Sequence, residues 1–466
     1  QFMAYGIGRT GLYLACEDPQ ANIKLIRATH RPPGIRLGLA HVGDWPRRGV
    51  RTLEYDVVLR GFTGDWYDAA DLYRAWSLRQ AWATPLHRRT DIPPWLLDTP
   101  AYITLRLQGE LDIGPVFPAS AFLPLTRALP MLDRLARRLN APLAVILMAW
   151  ERGGPWVYPD CFPPVGGEAG LKRFIAQARR RGWPVGSYCN GTRWVTGHYW
   201  NEYDGRAYFQ KKGGARSVCR TPDGAAWQEA WDRSWRPSYA TCMGSDLTRR
   251  LAADFIRRLI GWGMESLQFF DQNMGGATFP CFSGEHGHPP VPGKWMAAEM
   301  RRLMERFGRL ARRAGAVGVI HSTEAPCNET CLPFFQQCDI RVIPPGHTSN
   351  YEFLPLYHYL YHECITLQGH MGMGPEPHHL TTRNACNAVL GEIPGAVMTD
   401  DGSNGHKGFV TDALRQQLDA GVPYEHVVAI GPLMMMRALS EMTRPLHIHT
   451  VVSMNPIMID GTGMCG

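Results

Sequence analysis

The chain has 466 residues, of which 45% are hydrophobic and 20% are charged, a composition typical of a globular protein with a large core and more than one domain. The net charge is +7, but the basic residues lie along predicted helix faces such as LKRFIAQARRRG, so we expect no nucleic-acid partner. No apolar run reaches the roughly 18 residues that a membrane-spanning helix needs, so we expect no membrane contact either.

The chain begins with a β-rich segment. Residues 1–62 alternate and turn often, with GLYLACED and YDVVLRGF as the clearest strands, and they predict the end of a β-sandwich. No signal peptide is visible, and the first residues read as a strand entered in mid-domain. We therefore expect the native N-terminus to lie upstream and leave localisation open. Residues 63–98 predict a bridging helix and the linker DIPPWLLDTP.

Residues 99–442 alternate between short apolar strands and amphipathic helices, the pattern of a (β/α)8 TIM barrel in the α/β class. The eight predicted strands are AYITLRL, PLAVILMAW, WPVGSYCN, MESLQFFD, AVGVIHST, CDIRVIP, CITLQGH and PGAVMTDD. Residues 191–244 are too long and too rich in Trp, Tyr and Gly for a simple connection, and they predict a loop insertion over the barrel mouth. Residues 443–466 predict the start of a C-terminal β domain.

Aromatic and polar residues follow the second and third predicted strands, where a barrel collects its active-site loops. A pyranose presents an apolar face to an aromatic ring and its hydroxyls to polar side chains, so this mixture indicates a carbohydrate substrate. The candidate substrate-binding residues here are Trp150, Glu151, Tyr158, Asp160, Tyr188, Asn190 and Trp194. No Walker loop occurs and no GxGxxG follows a strand, so a nucleotide cofactor has little support.

Acidic residues end the fourth and fifth predicted strands. The run LQFFDQNMGG stops at Asp271, and the run VGVIHSTEAPCNE reaches Glu324 and Glu329. Two carboxylates on neighbouring strand ends are what glycoside cleavage needs. We therefore predict catalytic roles for Asp271 and for Glu324 or Glu329. Further candidate substrate-binding residues in these segments are Gln272, Asn273 and His321.

The loop GEHGHPP places His286 and His288 one residue apart and close to Cys281. Neutral imidazoles are common metal ligands, but this spacing fits no standard set, and the 12 cysteines include no two CxxC pairs. We therefore expect no metal and no other cofactor, and we predict that His286 and His288 bind substrate. A metal-dependent hydrolase is kept as an alternative, with ligands among Asp271, His286, His288 and His321.

Four segments of the chain resemble a family of bacterial barrel proteins, many described only as domains of unknown function, that are similar to retaining glycoside hydrolases. The segments are YDVVLRGFTGDWYDAADLYRAWSLRQAW, FPPVGGEAGLKRFIAQARRRGWPVGSYCNGTRW, LQFFDQNMGG with its trailing HGHPP, and EFLPLYHYLYHE. The stretch at the third strand also resembles α-galactosidases and α-glucosidases, in a clan similar to endo-α-N-acetylgalactosaminidases. The resemblance implies a supersandwich before the barrel and a small β domain after it.

The resemblance also implies that Asp271 is the nucleophile and that Glu324 or Glu329 is the acid/base, with Glu324 favoured because it lies nearer the strand end. Carboxyl groups about 5 to 5.5 Å apart would indicate retention, and about 6.5 to 9.5 Å inversion. The implied substrate is an α-linked galactosyl or glucosyl type. Linkage, endo or exo action and oligomeric state stay open, and a non-catalytic carbohydrate-binding barrel is a second alternative.

Overall fold

The structure is a computed structural model, and it describes residues 1–45, 48–98, 100–109, 122–198, 203–228, 236–270, 278–340, 354–369, 387, 390–398, 414–415, 418–419, 421, 423–429 and 433–452. Three predicted site residues, Asp271, Gln272 and Asn273, lie outside these ranges. Within them, no helix combines the length and the apolar character needed to cross a membrane.

The N-terminal segment forms two antiparallel sheets. One has the order β1-β2-β5, from β1 (Phe2–Ile7), β2 (Thr10–Glu17) and β5 (Asp56–Thr63), and the other pairs β3 (Lys24–Arg31) with β4 (Gly34–His41). Helix α1 (Trp66–Ser77) follows, and its first turn is closed by a capping box between Asp65 and Asp68. These sheets are the described part of the predicted sandwich, which stays a prediction as a complete domain.

Among its described residues, the central part of the chain contains ten strands. They are β6 (Ala101–Arg106), β7 (Leu143–Met148), β8 (Val185–Tyr188), β9 (Arg193–Val195), β10 (Ser238–Ala240), β11 (Ser266–Phe270), β12 (Ile320–Glu324), β13 (Gln337–Ile340), β14 (Thr366–Gly369) and β15 (Ile393–Met398). All except β9 and β10 are parallel and pair in the ring β11-β12-β13-β14-β15-β6-β7-β8, which the β8–β11 pairing closes. Each of the eight ring strands overlaps a predicted strand. β9 and β10 form an antiparallel pair inside the predicted insertion.

The described central part of the chain also contains helices. They are α2 (Pro94–Leu97), α3 (Leu129–Leu139), α4 (Glu168–Arg179), α5 (Arg206–Lys212), α6 (Asp246–Trp262), α7 (Trp295–Arg313) and α8 (Leu356–Tyr361). In α6, Ala252, Phe255, Ile256 and Leu259 recur at helical spacing and form its buried face. The α/β class and the curled parallel sheet are thus confirmed. A complete (β/α)8 arrangement stays a prediction, since the connections after β14 and β15 lie mostly outside the described residues.

The barrel strands have two faces with different neighbours. On β7, Val145 and Leu147 belong to a large cluster that includes helix residues such as Phe255, so this face points toward the helices. Ala144 and Ile146 alternate with them and belong to a second cluster with residues of other strands, so this face lines the barrel interior. The interior cluster consists of Ile92, Leu96, Tyr102, Ala144, Ile146, Met148, Trp156, Tyr188, Ile320 and Ile393.

After the barrel, β16 (His426–Ala429) and β17 (His449–Val452) pair in parallel, and helix α9 (Leu433–Thr443) lies between them in the chain. This is a strand–helix–strand unit with its own two-stranded sheet. Most of the predicted C-terminal β domain, residues 453–466, lies outside the described residues.

Candidate active site

The carboxyl ends of β11, β12 and β13 bring polar side chains together inside the barrel. Ile320 lies in the interior cluster, so Ser322 and Glu324 share its face of β12. Ser322 Oγ donates to Gln268 Oε1 at 3.2 Å, and Gln268 Nε2 lies 3.5 Å from Asp339 Oδ2. Glu324 pairs in register with Asp339 on the neighbouring strand. Both acids are buried, at 8% and 1% exposure. This cluster places two carboxyl groups at the carboxyl ends of the strands, where barrels of this class collect their active-site residues.

The backbone holds Glu324 in a fixed position at the end of β12. The next residue, Ala325, has a φ of 62°, and its amide donates to the carbonyl of Asp339 at 2.8 Å. A left-handed conformation at a residue other than glycine is strained, and such residues concentrate at functional sites. The turn therefore ties Glu324 to β13 where a catalytic carboxyl is expected.

Glu329, the other candidate acid/base, lies in a different environment. It begins the 3-10 turn Glu329–Phe334, and its Oε1 accepts a hydrogen bond from Tyr73 Oη of α1 at 2.6 Å. Its side chain thus faces the N-terminal helix rather than the cluster around Glu324. Of the two candidates, the structure brings only Glu324 to the interior face of the barrel.

The predicted nucleophile Asp271 lies outside the described residues, but the strand that leads to it is described. Phe270, the residue before Asp271, pairs with Thr323, the residue before Glu324. The register shifts between Leu267 and Phe270, so β11 carries an irregularity just before its end. Such bulges often re-aim a side chain near an active site.

A second polar cluster lies after β7 and β8. The carbonyl of Trp156 accepts hydrogen bonds from Asn190 Nδ2 at 3.1 Å and from Arg236 Nη1 at 3.2 Å. The Trp156 ring belongs to the interior cluster and lies 6.4 Å from the ring of Tyr188. Trp156 also has a left-handed φ of 64°. This cluster provides an aromatic ring and polar groups on the same side of the barrel, as a sugar site needs.

Glu151 is the acid of this second cluster. It is 1% exposed, and its Oε2 has no hydrogen-bond partner among the described residues. Burial raises the pKa of its carboxyl to about 8, although backbone N–H groups and the charge of Arg236 act in the opposite direction. A carboxyl that is largely neutral at pH 7 can donate a hydrogen bond to a substrate oxygen.

Sequence reasoning missed several residues of these two clusters. Gln268 and Asp339 lie inside apolar strand runs. The signal that could have found them is a polar residue at a position of the strand that faces the barrel interior. Arg236 is fully buried although it comes from the insertion, and no local sequence signal marks it.

Three predicted substrate-binding aromatics make extensive packing contacts in the structure. The Trp150 ring lies 5.9 Å from Phe162 and 6.0 Å from Phe255, and Tyr158 lies 5.4 Å from Phe255, so both pack in the core between strands and helices. Trp194 packs edge-on at 5.3 Å against Phe209 within the insertion. Large buried rings at strand ends serve packing as readily as ligand binding, and the assignment of these three rings to a substrate site stays a prediction.

Two polar candidates also lie apart from the interior clusters. Asp160 forms an ion pair with Arg152 at 2.5 Å. His321 follows the inward-facing Ile320, and its ring lies 5.5 Å from Phe307 of α7, on the helix side of β12. Burial lowers the pKa of His321 to about 4, which keeps the ring neutral. These contacts place the His321 ring on the helix side of β12, and its assignment to substrate binding stays a prediction.

His286 and His288 join a cysteine cluster rather than the two interior clusters. The potential ligand atoms of four residues lie within 4.8 Å of one another: Cys242, Cys281, His286 and His288. The expectation of no metal site rested on sequence spacing, and that reasoning missed Cys242, which is far from the others in the chain.

Comparisons with known proteins agree with the fold. A family model described as a domain of unknown function (DUF6259) matches residues 51–371. The ligand-free α-N-acetylgalactosaminidase NagBb from Bifidobacterium bifidum has a TM-score of 0.60 at 16% identity, covering 88% of this chain and 65% of that one. The α-galactosidase TtGalA from Thermus thermophilus, in complex with stachyose, has a TM-score of 0.52 at 15% identity, covering 90% and 79%. The predicted resemblance to glycoside hydrolase barrels is confirmed.

Two curated relatives match segments of the chain that differ in length. A putative glycoside hydrolase from Monosiga brevicollis is 26% identical over 319 residues, 62% of this chain and 25% of that protein. A homologue of the dihydroorotate dehydrogenase B (NAD(+)) electron transfer subunit from Thermotoga maritima is 46% identical over 70 residues, 15% of this chain and 24% of that protein. The chain thus spans about a quarter of each relative. The second similarity was not anticipated from the sequence.

Proposed function

Because this chain belongs to the DUF6259 family, whose name assigns no activity, we propose its function from the site: a glycoside hydrolase that cleaves a glycosidic bond of an oligo- or polysaccharide. The observation that carries this proposal is the buried Glu324, which lies at the inner carboxyl end of β12, beside the strand that leads into Asp271. The folds of NagBb and TtGalA support it, and since these are an α-N-acetylgalactosaminidase and an α-galactosidase, they favour an α-linked galactosyl-type sugar.

The proposed mechanism is retaining. Asp271 attacks the anomeric carbon while Glu324 donates a proton to the leaving oxygen, and Glu324 then takes a proton from the water that releases the sugar. Neighbouring strands lie about 4.7–4.9 Å apart, a spacing compatible with the roughly 5–5.5 Å between carboxyl groups in retaining enzymes. β11 and β12 end in register, because Phe270 pairs with Thr323, and this pairing supports the assignment. A complete (β/α)8 barrel with an N-terminal sandwich is part of the same proposal.

Kinetics on aryl glycosides test the two carboxylates. We expect p-nitrophenyl α-galactoside or a related α-glycoside to be hydrolysed, and Asp271→Asn to abolish turnover. Glu324→Gln should lower kcat/KM by about 10²–10⁴-fold on alkyl glycosides, because their leaving oxygen needs the proton. The loss on p-nitrophenyl glycosides should be smaller, since p-nitrophenolate leaves without one. Azide should rescue Glu324→Ala through a glycosyl azide of retained configuration.

The matched control is Glu329→Gln, which removes a carboxylate only five positions away but outside the interior cluster. It should leave kcat/KM within about a factor of two, while the loss of a charge-assisted hydrogen bond with Tyr73 lowers the free energy of unfolding by about 1–3 kcal/mol. Loss of activity in Glu329→Gln, with Glu324→Gln active, would reverse the assignment. Tight sugar binding with no turnover of any glycoside would instead support the carbohydrate-binding alternative.

A second candidate function rests on the strand–helix–strand unit of β16, α9 and β17. Parallel strands joined by a helix form a βαβ unit, and open α/β sheets built from such units bind ligands, nucleotides among them, at their strand ends. We infer that this unit accounts for the 70-residue similarity to the electron transfer subunit homologue, and that it contacts a nicotinamide nucleotide.

Titration of a fixed concentration of NADH with the full chain tests the second candidate. NADH fluorescence should rise and NAD⁺ should reverse the rise, while an oligosaccharide should leave it unchanged. Glu324→Gln is the control, because it should bind NADH as the native chain does. An unchanged fluorescence up to millimolar protein would overturn the nucleotide assignment and leave the glycosidase proposal intact.

A further inference from the structure

Two separate segments meet in a small cluster outside the barrel interior. Cys242 follows β10, whereas Cys281, His286 and His288 lie in the loop that leads to α7. The potential ligand atoms of these four residues lie within 4.8 Å of one another. Cys242 Sγ is 3.1 Å from His288 Nε2, and Cys281 Sγ is 3.4 Å from His286 Nδ1.

These separations match tetrahedral zinc coordination. Zinc binds sulfur at about 2.3 Å and nitrogen at about 2.0–2.1 Å, so two ligands at a tetrahedral angle have their S and N atoms roughly 3.5 Å apart. Two thiolates and two imidazoles are also a set that favours zinc over magnesium or calcium, which take oxygen ligands. Distance and ligand chemistry therefore select the same metal.

The surroundings orient His288 for coordination. Its Nδ1 lies 2.7 Å from the carbonyl oxygen of Pro289, which can only accept, so Nδ1 carries the proton and Nε2 presents its lone pair toward Cys242. The ring stacks on Trp295 at 3.6 Å with an interplanar angle of 3°. It also lies so close to Gly244 that a Cβ there would approach its Cδ2 to 2.4 Å. Packing against Trp295 and Gly244 thus holds the His288 side chain in one rotamer.

A backbone amide points at one of the two sulfur atoms. The amide of Arg220 donates to Cys281 Sγ at 3.4 Å. N–H donors stabilise the negative charge that sulfur carries as a metal ligand. A neutral buried thiol needs no such donor, so an N–H group at this position would stabilise it little.

We propose that the chain holds one structural zinc ion, whose four ligands are Cys242, Cys281, His286 and His288. Its role follows from the place of the ligands. The loop at 281–293 contains three glycines and three prolines and no described helix or strand, so backbone hydrogen bonding alone fixes it weakly. The ion attaches this loop to the segment after β10. With four protein ligands the coordination is closed, whereas a catalytic zinc keeps a position open for water. The site therefore does not support a metal-dependent hydrolase.

Metal analysis of the full chain, purified without a metal-binding tag and dialysed, tests the proposal. We expect one zinc ion per chain, and loss of it in Cys242→Ser and in His288→Ala. The matched control is Cys364→Ser, which removes a buried thiol outside the cluster and should keep its zinc. A chelator should lower the melting temperature of the native chain and of this control.

Cobalt substitution gives a readout that does not depend on the variants folding. Cobalt bound to the native chain should show thiolate-to-metal charge transfer and the visible bands of a tetrahedral site. Native chain without stoichiometric zinc and without this spectrum would overturn the proposal, and so would a folded Cys242→Ser that retains its zinc. Neither measurement requires turnover of a substrate, so a negative result would overturn the zinc proposal without affecting the glycosidase proposal.

Discussion

At the scale of single residues, the surroundings of Glu151 decide its charge. In the folded chain burial raises the pKa of this carboxyl to about 8. In an unfolded chain the value is about 4.3. Between these two values the folded state holds a proton that the unfolded state has lost, so the stability that the group contributes is present in acid and declines as pH rises toward 8.

Glu151→Gln should remove this pH dependence. Urea unfolding of both proteins at several pH values from 5 to 8 should show the variant gaining stability relative to the native chain as pH rises. The gain is at most about 1.4 kcal/mol per pH unit for one proton. Parallel stability curves over this range would show that Glu151 is ionised in the folded chain.

The face of a strand on which a residue lies determines which candidate side chains reach the barrel interior. Glu324 could be predicted because an acid that ends an apolar strand run is conspicuous in the sequence. His321 and Trp150 could not be excluded, because a shift of one residue moves a side chain to the opposite face. Ile320 faces the barrel interior and His321 faces α7, although they are adjacent in sequence.

At the scale of elements, the closure of the strand ring depends on Gly186 of β8. Gly186 pairs with Ser266 of β11, and a Cβ at position 186 would lie 2.2 Å from the Ser266 carbonyl oxygen. The two strands could not keep their spacing, so Gly186→Ala should lower the free energy of unfolding by about 1–3 kcal/mol or more. Denaturant unfolding followed by circular dichroism measures the change.

Gly261 in α6 is the matched control for this substitution. A Cβ at this helical position meets no atom within 4 Å. Gly261→Ala should therefore raise stability by up to about 1 kcal/mol through helix propensity. Equal effects of the two alanines would show that the close contact at Gly186 is not what limits substitution.

At the scale of the whole molecule, the N-terminal sheet and the barrel share one core. Tyr13 of β2 and Tyr73 of α1 belong to the same cluster as barrel and helix residues such as Leu147 and Phe307. Ser77 and Tyr361 join α1 to α8 through a 2.8 Å hydrogen bond between their hydroxyls. The described structure therefore packs continuously across the predicted domain boundaries at residues 62 and 98.

The sequence by itself determined the α/β class, the positions of the eight ring strands and the acid at the end of β12, because apolar periodicity and strand-end polarity are local properties. Only the tertiary structure decided which side chains meet. It separated Glu324 from Glu329, placed Arg236 beside Trp156, and brought Cys242 to the histidine loop. These contacts join residues far apart in the chain, and no local pattern encodes the distance between them.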